Sequence, residues 1–117
     1  MSDFLWSLKN GDMEQVRDFV ENQGIDINAS IDGRLPIHYA ADYGQKEVLS
    51  YLIDKGANIE AKDKHGISAL LAAIWEGHTS CVQLMLEKGA SKSGQTPDGV
   101  DYVTAAEKPE IKELLKC

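Results

Sequence analysis

The chain has 117 residues, enough for one domain with its own core and too few for two. Apolar residues make up 43% and charged residues 26%, the balance of a globular rather than a disordered chain. Its net charge is −7, with acids outnumbering bases 11 to 6 through Lys62 and 8 to 6 beyond it, so it offers no basic face to phosphate backbones or anionic lipids; nucleic acid and membrane are excluded as expected partners, and a basic protein surface fits better.

The opening stretch, MSDFLWSLKNGD, carries an acid early and lacks an apolar run ending in a small-residue cleavage site, so it does not read as a secretory signal. It predicts a short helix ended by Gly11, with Trp6 expected to cover the open end of the core. Val16, Phe19 and Val20 stand at helical spacing and predict a second helix ended by Gly24. A turn at SIDG follows, then a helix with Pro36 in its first turn, where a missing N–H is harmless, while Leu35 before it cannot cap. That helix ends at Gly44, and Val48, Leu49, Leu52 and Ile53 form the apolar stripe of the next, ended by Gly56.

The pattern then repeats. After the turn DKHG, Ser68 is placed to cap a helix over Ala69–Trp75, an apolar run far too short to cross a bilayer. Gly77 ends it, Cys81, Val82, Met85 and Leu86 form the following stripe, and Gly89 closes that. After TPDG, Asp101 is the next capping residue, and the link between the last two helices is shortened before EIKELL.

Gly33, Gly66 and Gly99 are 33 residues apart, as are Gly11, Gly44 and Gly77, and Gly56 and Gly89. Gly24 falls one residue short of this last series, because Glu21-Asn22-Gln23 stands where Asp54-Lys55 stands one repeat later; the loop after it is one residue shorter and restores the phase. Such a period decides architecture before any local signal does. Ala40, Ala73 and Ala106 recur where the first helices must pack closely. The unit is turn, helix, turn, helix, loop, and the expected fold is an all-α solenoid of helix-turn-helix units.

Candidate chemistry is sparse. His38 and Asp42 lie four apart on one helical face, but no third partner assembles around them, and Asp42 is expected to face solvent. His78 and Cys81 lie three apart, yet a zinc site needs three or four converging ligands and no second pair is suitably placed. Cys81 falls at a core position where a thiol is inert. There is no phosphate loop or nucleophile elbow. The chain is therefore read as a non-enzyme without metal or cofactor. Cys81 and the terminal Cys117 do not make a disulfide framework, which points to a reducing setting, cytoplasmic or also nuclear.

With these motifs in hand, the chain resembles the ankyrin repeat family, whose pattern runs roughly D-x-x-G-x-T-P-L-H-x-A-A-x-x-G-H-x-x-V-V-x-x-L-L-x-x-G-A. DGRLPIHYAADYGQKEVLSYLIDKGANIEAK and DKHGISALLAAIWEGHTSCVQLMLEKGA follow it closely. The resemblance implies one ankyrin repeat domain over 1–117: an N-terminal capping half-repeat (1–29), repeats at 30–62 and 63–95, and a shortened C-terminal capping repeat (96–117). Ala69 and Leu71 depart from the pattern in the third unit, as do Tyr102 and Thr104 in the fourth. Atypical terminal units are expected of a complete stack, and capped ends predict a monomer.

In that family the histidine at the place of His38 serves packing and the turn, and the turn tips with the ends of the first helices form a concave binding face. The register puts Asp42 and Tyr43, then Trp75 and Glu76, at equivalent positions on it, with Ile31, Asp32, Arg34, Lys64, His65 and Ile67 completing the surface. Exposed aromatic side chains there predict binding anchors, and Asp32, Asp42 and Glu76 an acidic complement. Within the family, WSLKNGDMEQV, PIHYAADYGQ, DKHGIS, EGHTSCVQLMLEKGA and TPDG before IKELL are similar to a branch of small single-domain members. That similarity implies a partner, the actin capping protein α/β heterodimer, sequestered so that filament barbed ends stay free to grow. The alternative is a general ankyrin module masking another partner, such as a Rel-type transcription factor.

Overall fold

The computed structural model describes residues 2–116, so Cys117, whose reactivity depends on its exposure, lies outside the described residues. Among the described residues eight α-helices run in chain order: α1 Ser2–Asn10, α2 Met13–Arg17, α3 Pro36–Asp42, α4 Lys46–Asp54, α5 Ala69–Trp75, α6 Thr79–Glu87, α7 Tyr102–Ala105 and α8 Pro109–Leu115. The odd-numbered helices pack on one another in sequence to make one layer, and the even-numbered helices make a second layer behind it. The result is a two-layer stack measuring 40 × 24 × 20 Å.

Local chemistry explains the helix ends. The side chains of Ser68 and Asp101 accept the amides of Leu71 (3.1 Å) and Thr104 (2.8 Å), as expected of N-caps. At α3, where Leu35 has no oxygen to offer, the bond runs in reverse: the Leu35 amide donates to Nδ1 of His38 at 2.9 Å. All three glycine series adopt positive φ, and Gly44, at +69°, is what lets the chain leave α3 and start α4 two residues later.

The extra residue at Glu21-Asn22-Gln23 has a structural counterpart. The helix expected through Phe19 and Val20 stops being α-helical at Arg17 and continues as a π-turn over Asp18–Asn22, with the Gln23 amide reaching the Asp18 carbonyl five residues back at 3.1 Å. A single insertion absorbed inside a helix takes this form. Phe19 still reaches the core, its ring 5.3 Å from that of Phe4 and tilted by 59°. Trp6, expected to cover the open end of the core, is 53% exposed, whereas Phe4, Leu8 and Val16 are buried in the core at that end.

Between units, three short hairpins project from the stack, bridged at Ile31 with Arg34, Lys62 with Ser68, and Gln95 with Asp101. In the first, Asp32 (φ 55°) and Gly33 (φ 84°) form the two-residue turn that Asp-Gly favours. In the second, Asp63 closes the loop by accepting the amides of His65 (2.8 Å) and Ile67 (3.1 Å). Apolar side chains of α1 through α8 form one continuous core, with Leu49, Leu52, Leu71, Val82, Met85 and Ile111 fully buried.

Candidate partner-binding surface

The hairpins and the C-terminal ends of α3 and α5 line one side of the stack. Arg34 organises this region. Its Nε donates to Asp63 at 3.0 Å, its Nη1 lies 3.4 Å from Asp42, and the guanidinium sits 5.2 Å from the centre of the Tyr39 ring. One side chain thus ties the first hairpin to the end of α3 and to the base of the second hairpin. Burial works against ionisation of Asp63, but the amides of Ile67 and His65 and the Arg34 guanidinium outweigh it and hold the carboxyl below its ordinary range.

Asp42 therefore needs correction as a solvent-facing acid. Its side chain is only 27% exposed and is engaged by Arg34, itself 20% exposed, so neither group is free in the way the sequence implies. Tyr43 and Trp75 are each 47% exposed. Lys9 lies 5.4 Å from the Tyr43 ring and 5.8 Å from that of Tyr39, so the contacts run from Tyr43 through Lys9, Tyr39 and Arg34 to Asp42 and Asp63 along one side of the stack.

At the far end of that chain of contacts is a groove of about 280 Å³. It brings together six of the residues singled out from sequence, Arg34, Asp42, His65, Ile67, Trp75 and Glu76, and adds Asp63 and Ala72. Asp63 was legible as a hairpin residue, but its sequence carries no sign that it would be paired across to the preceding unit. Ile31 and Asp32 line a different cavity of about 450 Å³ with Phe4, Leu5 and Ile25 at the N-terminal end of the stack. Lys64 lies outside the groove, its amide bonded to the Gly33 carbonyl at 3.0 Å so that consecutive hairpins are joined.

Neither histidine pair builds a reactive centre. His38 is fully buried, with Nδ1 accepting the Leu35 amide and Nε2 2.8 Å from the Ala61 carbonyl, an arrangement that requires the neutral ring with its proton on Nε2. Burial holds its pKa below the ordinary imidazole value. His78 Nε2 reaches back to the Asp42 carbonyl at 3.0 Å and so joins units rather than binding metal with Cys81. Cys81 is buried, and burial pushes its thiol up. Among the described residues no group of three or more metal-ligating side chains converges.

A stack of helix pairs with bridged hairpins along one side defines an ankyrin-type interaction module, and the family model of ankyrin repeats in three copies matches residues 4–96. The chain belongs to the ankyrin repeat family. Over 114 residues it is 52% identical to myotrophin of Xenopus tropicalis, covering 97% of this chain and 96% of that one. Human myotrophin is 52% identical over a 44-residue segment, 37% of this chain and 36% of that protein. The 26S proteasome non-ATPase regulatory subunit 10 of Dictyostelium discoideum is 39% identical over 90 residues, 75% of this chain but 39% of the relative.

Proposed function

We propose that this chain is a protein-binding inhibitor that sequesters the heterodimeric actin capping protein and so leaves filament barbed ends free to grow. The observation that carries this reading is the extent of the likeness to the Xenopus tropicalis myotrophin: it runs through nearly the full length of both chains, whereas the likeness to the Dictyostelium proteasome subunit covers 39% of that relative. The mechanism is occupation of a surface, with no bond made or broken. Tyr43 and Trp75 are the anchors, since half-exposed rings bury much area at low entropic cost when a partner covers them. A net charge of −7 draws the chain to a basic surface and disfavours acidic competitors. The binding unit is a monomer working in the reducing cytoplasm.

The test is polymerisation of pyrene-labelled actin from filament seeds with capping protein present and increasing amounts of this chain. Barbed-end growth should return in proportion to the chain added. Growth that stays blocked at large excess removes capping protein as the partner and leaves a general interaction module. In the same assay Trp75→Ala should weaken binding by about 2 kcal/mol, while its thermal melt matches the parent because the indole lies outside the buried core.

A further inference from the structure

The groove beside Trp75 has a composition that selects one kind of side chain. Its lining includes the half-exposed Trp75 indole, Ile67 and Ala72, apolar surface against which a flat or aliphatic group can lie. Its charges are Arg34 against Asp42, Asp63 and Glu76, three acids to one base, and Arg34 is already bound to two of them. Even after that pairing the groove keeps an excess negative charge, with Glu76 exposed at its edge.

A second observation is independent of the acids. Tyr39, Tyr43 and Tyr51 each carry a cation of this chain over the ring, supplied by Lys9, Arg34, Arg17 or Lys55 at 5.2 to 5.8 Å. Among the described residues neither tryptophan has such a cation, although indole is the aromatic ring that attracts cations best, and of the two Trp75 is the one that lines the groove with the carboxylates. An open indole face beside carboxylates in a concave site is unfilled in the way its aromatic neighbours are not.

We infer that this groove receives a single arginine side chain of the partner, its guanidinium stacked on the Trp75 indole and hydrogen-bonded to Glu76 and to the outer oxygen of Asp42. Arginine fits better than lysine for two reasons: its planar, weakly hydrated head stacks on an aromatic face, and its fork of donors can serve two carboxylates at once. Arg34 is then a positioning residue, holding Asp42 and Asp63 in place without occupying the indole. The inference rests on the reading of this side of the stack as the partner surface, but not on the partner's being capping protein.

It is tested without any partner protein, by nuclear magnetic resonance titration of the chain with N-acetyl-arginine amide, its lysine counterpart and the uncharged citrulline counterpart at low salt. The arginine compound should cause a saturable shift of the Trp75 indole N–H, with the Trp6 indole still. Citrulline should bind at least roughly tenfold more weakly, a factor equivalent to about 1.4 kcal/mol, lysine more weakly than arginine, and Glu76→Gln should reduce the arginine response. Because Glu76 is exposed, that variant should keep the parent's spectrum elsewhere. No saturable shift at Trp75, an equal response to citrulline, or tighter binding of the lysine compound overturns the inference, whereas failure in the actin assay with the arginine response intact overturns only the choice of capping protein.

Discussion

At His38 the two ring nitrogens do opposite work, one accepting the Leu35 amide and the other donating to Ala61. A second proton on Nδ1 would abolish the first bond, and burial, the larger influence, outweighs the stabilising pull of the Ala61 carbonyl and Asp63 to keep the folded pKa below its ordinary 6.5. Between those two values the unfolded chain binds the proton and the folded chain does not. His38 therefore contributes its full stability above pH 6.5 and loses it as pH falls below that value toward the folded pKa. Chemical denaturation of the parent against pH should show that decline, and His38→Ala should lack this part of it while costing about 2–4 kcal/mol at pH 8, because two buried partners are orphaned and a cavity opens. A midpoint insensitive to pH between 7 and 5 in the parent would contradict the assignment. That His38 is structural was readable from its apolar surroundings and its place in the repeat. The engagement of Asp42 was not, because periodicity fixes a helical face while a long arginine eight residues back decides what that face meets.

Between elements, the units are stitched by a repeated device. Gln45 donates to the Lys9 carbonyl at 2.7 Å, His78 bonds the Asp42 carbonyl at 3.0 Å, and Lys108 donates to the Gly77 carbonyl at 2.9 Å. Each residue opens the second helix of its unit and reaches a carbonyl at the end of the preceding unit's first helix, or for Lys108 two residues past it, where carbonyls lack intrahelical partners. Lys108 stands where the 33-residue register puts Ile111, displaced by the shortened link, so the function of the position survives the deletion. The device also explains a close approach at Gly44, where an added Cβ would lie 2.7 Å from Nδ1 of His78. Gly24 has a similar φ, +71° against +69°, but nothing within 4 Å of such a Cβ. Gly24→Ala should then cost only the left-handed strain of about 1–2 kcal/mol, and Gly44→Ala about 1 kcal/mol more as the imidazole is displaced. Equal losses in urea denaturation would show that the contact between units contributes nothing. The glycine period made these turns legible; the π-turn was visible only as a residue too many, since a one-residue insertion can go into a loop or a helix and backbone hydrogen bonding decides which.

For the molecule as a whole, the stack and its order follow from the period, while the groove depends on which side chains of adjacent hairpins meet. The six residues gathered there were legible because they share a register position or a hairpin tip; Ile31 and Asp32 were separated from them because the open N-terminal end of the stack has its own cavity. On the proposed function, a surface with net charge −7 and a few half-exposed rings divides its labour between encounter and retention. Charge acts at a distance and is screened over about 10 Å at 0.1 M salt, whereas stacked rings act only once the surfaces touch. Stopped-flow binding to capping protein should therefore show an association rate that falls about tenfold or more between 0.05 and 0.5 M salt. The dissociation rate should change much less. Trp75→Ala should do the reverse, raising dissociation by roughly tenfold or more and leaving association nearly unchanged, because mutations at the centre of an interface act mainly on how long a complex lasts. An association rate indifferent to salt would mean that the acidic excess serves solubility alone, and an unchanged dissociation rate in the variant would move the anchor away from the groove.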